Sequence, residues 1–238
     1  MLVLAVDSAT PVAGVAVLNR DKVLYEEFCN YKKTHSETLL PMIDRALKVC
    51  ECTLDDITAL AVTIGPGSFT GLRIGMGTVK GLSLASGKPV VTISTLDMLA
   101  ANALYAEDLL IVPVLDARKN EVYSAIYEFH GIMQKIVPEK TWGTEELVLK
   151  IEEEKKSLGK KGVIMLGDGF YPYEDYWRNM FGENMFVPPP HLMLPRAAAM
   201  GVWAFDKIEK EDFADIWTLS PVYLRLSEAE YRLRRGEL

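Results

Sequence analysis

Residues 59–85 read ALAVTIGPGSFTGLRIGMGTVKGLSLA, and the break at Gly65 decides how the chain folds. Ala59 to Ile64 reads as an apolar strand. Gly65-Pro66-Gly67 then forces a turn, and Leu72 to Ala85 reads as a helix that stops at Ser86-Gly87. Pro89 to Ile93 returns as a second short apolar strand, and a further helix follows from about Leu96 to Tyr105. Strands alternating with helices in this way argue for an α/β lobe.

Working outward to the N-terminus, LVLAVD (2–7), Val12 to Leu18 and Lys22 to Asn30 read as three strands joined by short polar turns, an antiparallel meander. The period then changes. Leu39, Leu40, Ile43, Ala46, Leu47 and Cys50 fall at helical spacing. Thr34-His35-Ser36-Glu37 fits a capping box, in which the Thr34 side chain meets a free backbone N–H and Glu37 reaches back. Pro41 predicts a kink or a later helix start. The order β-β-β-α-β-α-β-α is the ribonuclease-H-like half of the actin-like ATPase (ASKHA) fold of acetate and sugar kinases, Hsp70 and actin. That analogy concerns fold and not function.

Toward the C-terminus the plan repeats. LIVPVLD, a polar turn from Ala117 to Glu121 and VYSAIYEF match LVLAVD, turn, VAGVAVL as strand-Asp-turn-strand units. A charged helical stretch (Thr144 to Lys156), a strand (Val163 to Leu166), Gly167-Asp168-Gly169 and a helix over 196–208 follow. Expected, then, is an α/β protein of two related lobes, with mixed sheets flanked by helices. Residues 1–105 form the first lobe and 106–238 a reduced second one, the helix 196–208 packing back between them. The tail from Ser220 carries PVYLR and a charged, helix-compatible end.

Composition narrows the class. No apolar run reaches the roughly 18 residues needed to span a bilayer, and Leu2 to Val6 has no basic stretch before it, so the reading is cytoplasmic. Cys29, Cys50 and Cys52 do not have the spacing of a CxxC redox or zinc pair and read as free thiols. The formal charge is -7, of which 106–238 carry -6, with 17 Lys and Arg against 23 Asp and Glu. An acidic protein lacks the cationic field that supplies most nucleic-acid affinity, so contact with a nucleic acid is expected only through a partner. The Glu- and Lys-rich run from Glu145 to Lys161 fits a thermophile or an ordinary solvated helix face.

Several motifs invite a chemical reading. Gly65-Pro66-Gly67 before a helix resembles an anion loop, yet Gly71 is followed by Leu72-Arg73 where a Walker A loop needs Lys and Ser or Thr. A tight strand-to-helix turn explains it as well. Within the helix, Gly71 with Gly75 and Gly77 with Gly81 lie four apart, and each interior glycine costs about 1 kcal/mol against alanine. They predict close packing, against this protein's own sheet or against a partner helix. Asp7 and Asp116 stand where active members of the fold approach metal-bound phosphate, but the glycine that should follow each is missing. Gly167 and Gly169 stand where an adenosine-binding turn would be. This vestigial constellation leaves no tightly bound cofactor expected, only a weak nucleotide or one at a subunit boundary. His35, His130 and His191 are isolated, so no metal site is expected, and no GxSxG nucleophile elbow occurs.

GPGSFTGLRIG with GTVKGLSLA after it, THSETLLP before it, DARKNEVY and the late PVYLR together resemble the TsaB (YeaZ) family over nearly the whole chain. The resemblance implies a non-catalytic subunit of the assembly that makes threonylcarbamoyl-adenosine at position 37 of tRNAs reading ANN codons. In that assembly a TsaD-type paralogue carries the metal and transfers the group, and a TsaE-type ATPase takes part. Catalytic paralogues have a His-x-x-x-His pair just after the strand matching Pro89 to Ile93; here those positions are Thr95 and Leu99. The family's partner surface, carried onto this sequence, is the helix of His35, Leu39 and Ile43 together with the helix of Arg73, Met76 and Lys80. The same surface implies a homodimer when the chain is alone. An active phosphotransferase or ATPase of the same fold is the alternative, and a metallopeptidase lacks ligands.

Overall fold

The computed structural model describes residues 1–31, 34–104 and 106–225; the charged end beyond Arg225 lies outside the described residues. Strands β1 (Val3–Asp7), β2 (Ala13–Leu18) and β3 (Val23–Cys29) form the meander. They are followed by α1 (His35–Val49), β4 (Ala59–Thr63), α2 (Phe69–Ser86), β5 (Val90–Ile93) and α3 (Thr95–Ala100). The sheet order is β3-β2-β1-β4-β5, with β1 antiparallel to β2 and parallel to β4. The second half supplies β6 (Leu109–Arg118), β7 (Glu121–His130), β8 (Ile132–Gly143), α4 (Thr144–Leu158), β9 (Gly162–Leu166), α5 (Glu174–Phe181), β10 (Met185–Phe186) and α6 (Gly201–Glu209). Its sheet runs β8-β7-β6-β9-β10, the same plan again.

Local chemistry moves several boundaries. α2 starts at Phe69, three residues before Leu72, because the Ser68 side chain accepts from the Gly71 N–H at 3.2 Å and caps the helix there. Thr34 is the N-cap of α1, but its hydroxyl donates to Glu37 at 2.7 Å instead of meeting a backbone N–H. α1 runs through Pro41 from His35, so the proline does not delay its start. β6 continues past Asp116 to Arg118, and the turn narrows to Lys119 and Asn120; residues 118–120 all have φ near +60°. β8 carries Pro138 inside it, which hides a strand from pattern reading. The ladder slips there, with Ser124 opposite Lys140 and Ile126 opposite Val137, and an edge position tolerates the missing N–H.

Three cores follow from these faces. α1 and α2 cover one face of the first sheet, where Leu39, Met42, Ile43 and Val79 meet Leu4, Val6, Val15 and Leu60. On the opposite face Val3, Ala5, Ala16, Ala59 and Ala61 meet Ala197, Met200, Ala204, Phe205 and Ile208. The alanines let these late residues approach the sheet closely. The expected helix over 196–208 is a 3-10 turn (Ala197–Met200) running into α6, and it packs on the first sheet. A boundary at 105 therefore does not follow the packing. In exchange, α3 sends Leu96, Leu99 and Ala100 into the core of the second lobe. Each lobe's last helix completes the other lobe.

Candidate partner surface and interlobe cleft

The Gly65–Gly67 turn leaves β4 beside the end of β1. Gly65 has φ +117°, a conformation that favours glycine, and a Cβ on Gly67 would collide with the Ala9 carbonyl. The same construction follows β9, where Gly167 has φ +113° and a Cβ on Gly169 would strike the Leu115–Asp116 peptide. Gly167 and Gly169 thus have a packing reason before any ligand is considered.

Along α2 the two glycine pairs part company. Cβ atoms on Gly71 and Gly75 would run into Ser8, whose hydroxyl donates to the Gly71 carbonyl at 2.8 Å. Gly77 and Gly81 face open space, with nothing within 4 Å of a Cβ. One pair admits this chain's own backbone, and the other is turned outward.

The residues expected at a partner surface divide likewise. Leu39, Ile43 and Met76 are buried in this chain's own packing, at 1%, 3% and 4% exposure, and offer nothing outward. His35 is half-buried at the start of α1, with Nε2 2.8 Å from the Thr10 carbonyl and a buried Nδ1 that has no hydrogen-bond partner among the described residues. Arg73 is exposed and Lys80 half-buried. Leu40 and Leu84, 55% and 57% exposed, are apolar side chains that α1 and α2 turn outward, and Val49 at the end of α1 is exposed as well. The sequence held the signal in the adjacent pair Leu39-Leu40, of which only one member can face the sheet.

Between the lobes lies a cleft of about 820 Å³, lined by His35, the start of α2, Asp116, Arg118, Asp168 and Arg225 among others. Asp116 is at its edge, its amide donating to Asp168 at 3.2 Å while its carboxylate accepts from the Arg118 N–H at 2.8 Å. Burial pushes the Asp168 carboxyl up, and the Asp116 charge pushes the same way. Asp7 does not line the cleft. It is buried at the end of β1, where one oxygen accepts from the Thr63 hydroxyl at 2.6 Å and the Ala9 amide at 3.0 Å. Its other oxygen has no hydrogen-bond partner among the described residues, and burial raises the carboxyl against the pull of those hydrogen bonds. Asp7 and Asp116 are therefore not convergent lining groups of one site.

Thr95 and Leu99, the first and fifth residues of α3, are wholly buried, Leu99 within the core of the second lobe. Among the described residues, no group of three or more His, Cys, Asp and Glu could hold a metal ion, and no helix is long and apolar enough to cross a membrane. Tyr223 was missed as a site residue by pattern reading. Its ring stacks on Phe69, and Arg73 donates to its hydroxyl at 2.9 Å. Only the PVYLR string hinted at it.

Residues 23–231 match the model of the family described as TsaD: tRNA N6-adenosine threonylcarbamoyltransferase. The tRNA threonylcarbamoyladenosine biosynthesis protein TsaB of Bacillus subtilis (strain 168) is 32% identical over 97% of this chain and 96% of its own length. The protein of the same name from Escherichia coli (strain K12) is 32% identical over 98% of each. Among solved structures, YeaZ from Pseudomonas aeruginosa superposes with a TM-score of 0.78 at 26% identity, covering 94% of this chain and 99% of that one.

Proposed function

The chain belongs to the TsaD-model family and, within it, to the TsaB family, and from that premise we propose that it serves tRNA threonylcarbamoyladenosine biosynthesis in the cytoplasm as a non-catalytic scaffold or activating subunit. The observation that carries this reading is the end-to-end match to relatives named for that biosynthesis, with 97% of this chain and 96% of the B. subtilis protein aligned. Two features support it. Buried Thr95 and Leu99 give α3 no imidazole pair with which to hold a catalytic metal. The outer face of α2, with Arg73, Gly77, Gly81 and Leu84 turned to solvent, is shaped for a closely approaching helix.

The partner in this reading is a TsaD-type catalytic subunit, with a TsaE-type ATPase in the same assembly and tRNA met only through the complex. Alone, the chain pairs with a second copy through the same helices; light scattering that gives a monomer at every concentration would remove the homodimer. The decisive experiment reconstitutes tRNA modification from purified partners with and without this chain. Loss of product without it is expected, and undiminished product in its absence ends the proposal. Any nucleotide in the cleft is weakly held. Calorimetry with ATP and Mg²⁺ that showed tight binding and turnover would favour a phosphotransferase or ATPase instead.

A further inference from the structure

Residues 221–225 (PVYLR) pass from one lobe to the other within five positions. On the first lobe, the Val222 N–H donates to the Ile64 carbonyl at 2.8 Å, and the Val222 carbonyl lies against Gly65, where a side chain would strike it. Tyr223 lies flat on Phe69, with ring centroids 4.1 Å apart and an interplanar angle of 6°. Arg73 donates from Nε to the Tyr223 hydroxyl at 2.9 Å, its guanidinium 5.8 Å from each ring centroid. On the second lobe, Leu224 packs against the core and its carbonyl accepts from the Thr141 hydroxyl at 3.3 Å. Arg225 donates to the Ala117 carbonyl at 2.5 Å, lies 3.5 Å from Glu121, and forms part of the cleft wall.

We propose that residues 221–225 are an interlobe strap, and that a partner carboxylate docking on α2 loosens it by taking Arg73 from Tyr223. Arg73 is exposed on α2 and engages a neutral phenol. A carboxylate offers the same guanidinium a charge-assisted and bidentate bond, the stronger of the two. Transfer of Arg73 would leave Tyr223 with its stack on Phe69 but without its hydrogen bond and cation–π contact. Both lobes and one cleft wall feel the change, because Leu224 holds β8 at Thr141 and Arg225 holds the β6–β7 turn at Ala117 and Glu121. The strap needs only this chain, whereas its release by a partner rests on the reading of α2 as a docking face.

Hydrogen exchange on the full chain tests both parts. Tyr223→Ala is expected to speed exchange roughly tenfold in peptides spanning 115–124, in the lobe opposite its stack on Phe69. Tyr223→Phe, which keeps the stack and loses the hydroxyl, gives a smaller change at the same place. Unchanged protection in β1 and β2 shows that both variants remain folded. Wild-type exchange at 115–124 in Tyr223→Ala overturns the strap. Adding a TsaD-type subunit to the wild-type chain is expected to speed exchange of the Val222 amide. Binding without that change overturns the release step and leaves the subunit role standing; no binding at all removes both.

Discussion

Asp7 is a carboxylate that the fold buries with one oxygen satisfied twice and the other not at all. Its folded pKa is raised above the ordinary carboxylate value, so the native state holds this proton more tightly than the unfolded chain does. The group's contribution to stability is full below the ordinary value and is lost as pH rises through the raised one. Asp7→Asn keeps an oxygen for Thr63 and Ala9 and removes the charge. The variant is expected to be more stable than wild type at pH 7, with the gap closing as pH falls into the acidic range, in urea unfolding followed across pH. A wild type that stays the more stable at pH 7 would mean that the ionised carboxylate is compensated by more than these two donors. Asp7 could be singled out in the sequence, as the polar end of an apolar strand, but its burial away from the cleft lining could not, because that depends on Thr63 of the neighbouring strand and on the turn at Ala9. Leu39, Ile43 and Met76 show a related gap. Helical spacing identifies an apolar stripe, and only the position of the sheet says which side of the stripe is inside.

In α2 the glycines split into two pairs with opposite consequences. Gly71→Ala would drive a methyl into the Ser8 carbonyl, a rigid backbone atom, and is expected to destabilise the chain by about 1–3 kcal/mol. Gly77→Ala meets nothing and removes a flexible helix-interior residue, so the isolated chain should gain about 1 kcal/mol. If α2 is the docking face, the same Gly77→Ala chain should self-associate more weakly, visible in sedimentation. Ser68→Ala removes the cap of α2 and is expected to cost about 1 kcal/mol in thermal unfolding. The glycines announced close packing in the sequence, without saying against what. β8 shows what an element can hide, since Pro138 disguises a strand whose bulge and edge position make the proline acceptable.

On the scale of the molecule, the two sheets repeat one strand order, and the sequence carried that repeat as two strand-Asp-turn-strand units. The pattern also leads one to expect the helix over 196–208 packing back between the lobes, but it gives no sign that α3 enters the core of the second lobe, because an apolar helix face does not say which sheet it meets. The exchange makes a linear cut at residue 105 an unphysical one. A fragment of residues 1–105 lacks Ala197, Met200, Ala204, Phe205 and Ile208, and so leaves Val3, Ala5, Ala16 and Val91 facing water. Expressed alone, it is expected to show no cooperative thermal transition in circular dichroism, and to gain one when residues 106–238 are added. A sharp transition in the lone fragment would show that α1 and α2 suffice as a cover.

The same exchange bears on how the chain is born. At about 5–20 residues per second of synthesis, roughly 5–20 s separate completion of the first sheet from the arrival of the segment that covers its second face. Throughout that interval a nascent chain on the ribosome exposes the apolar, alanine-rich residues of those strands, which are a natural target for chaperones that bind emerging polypeptides.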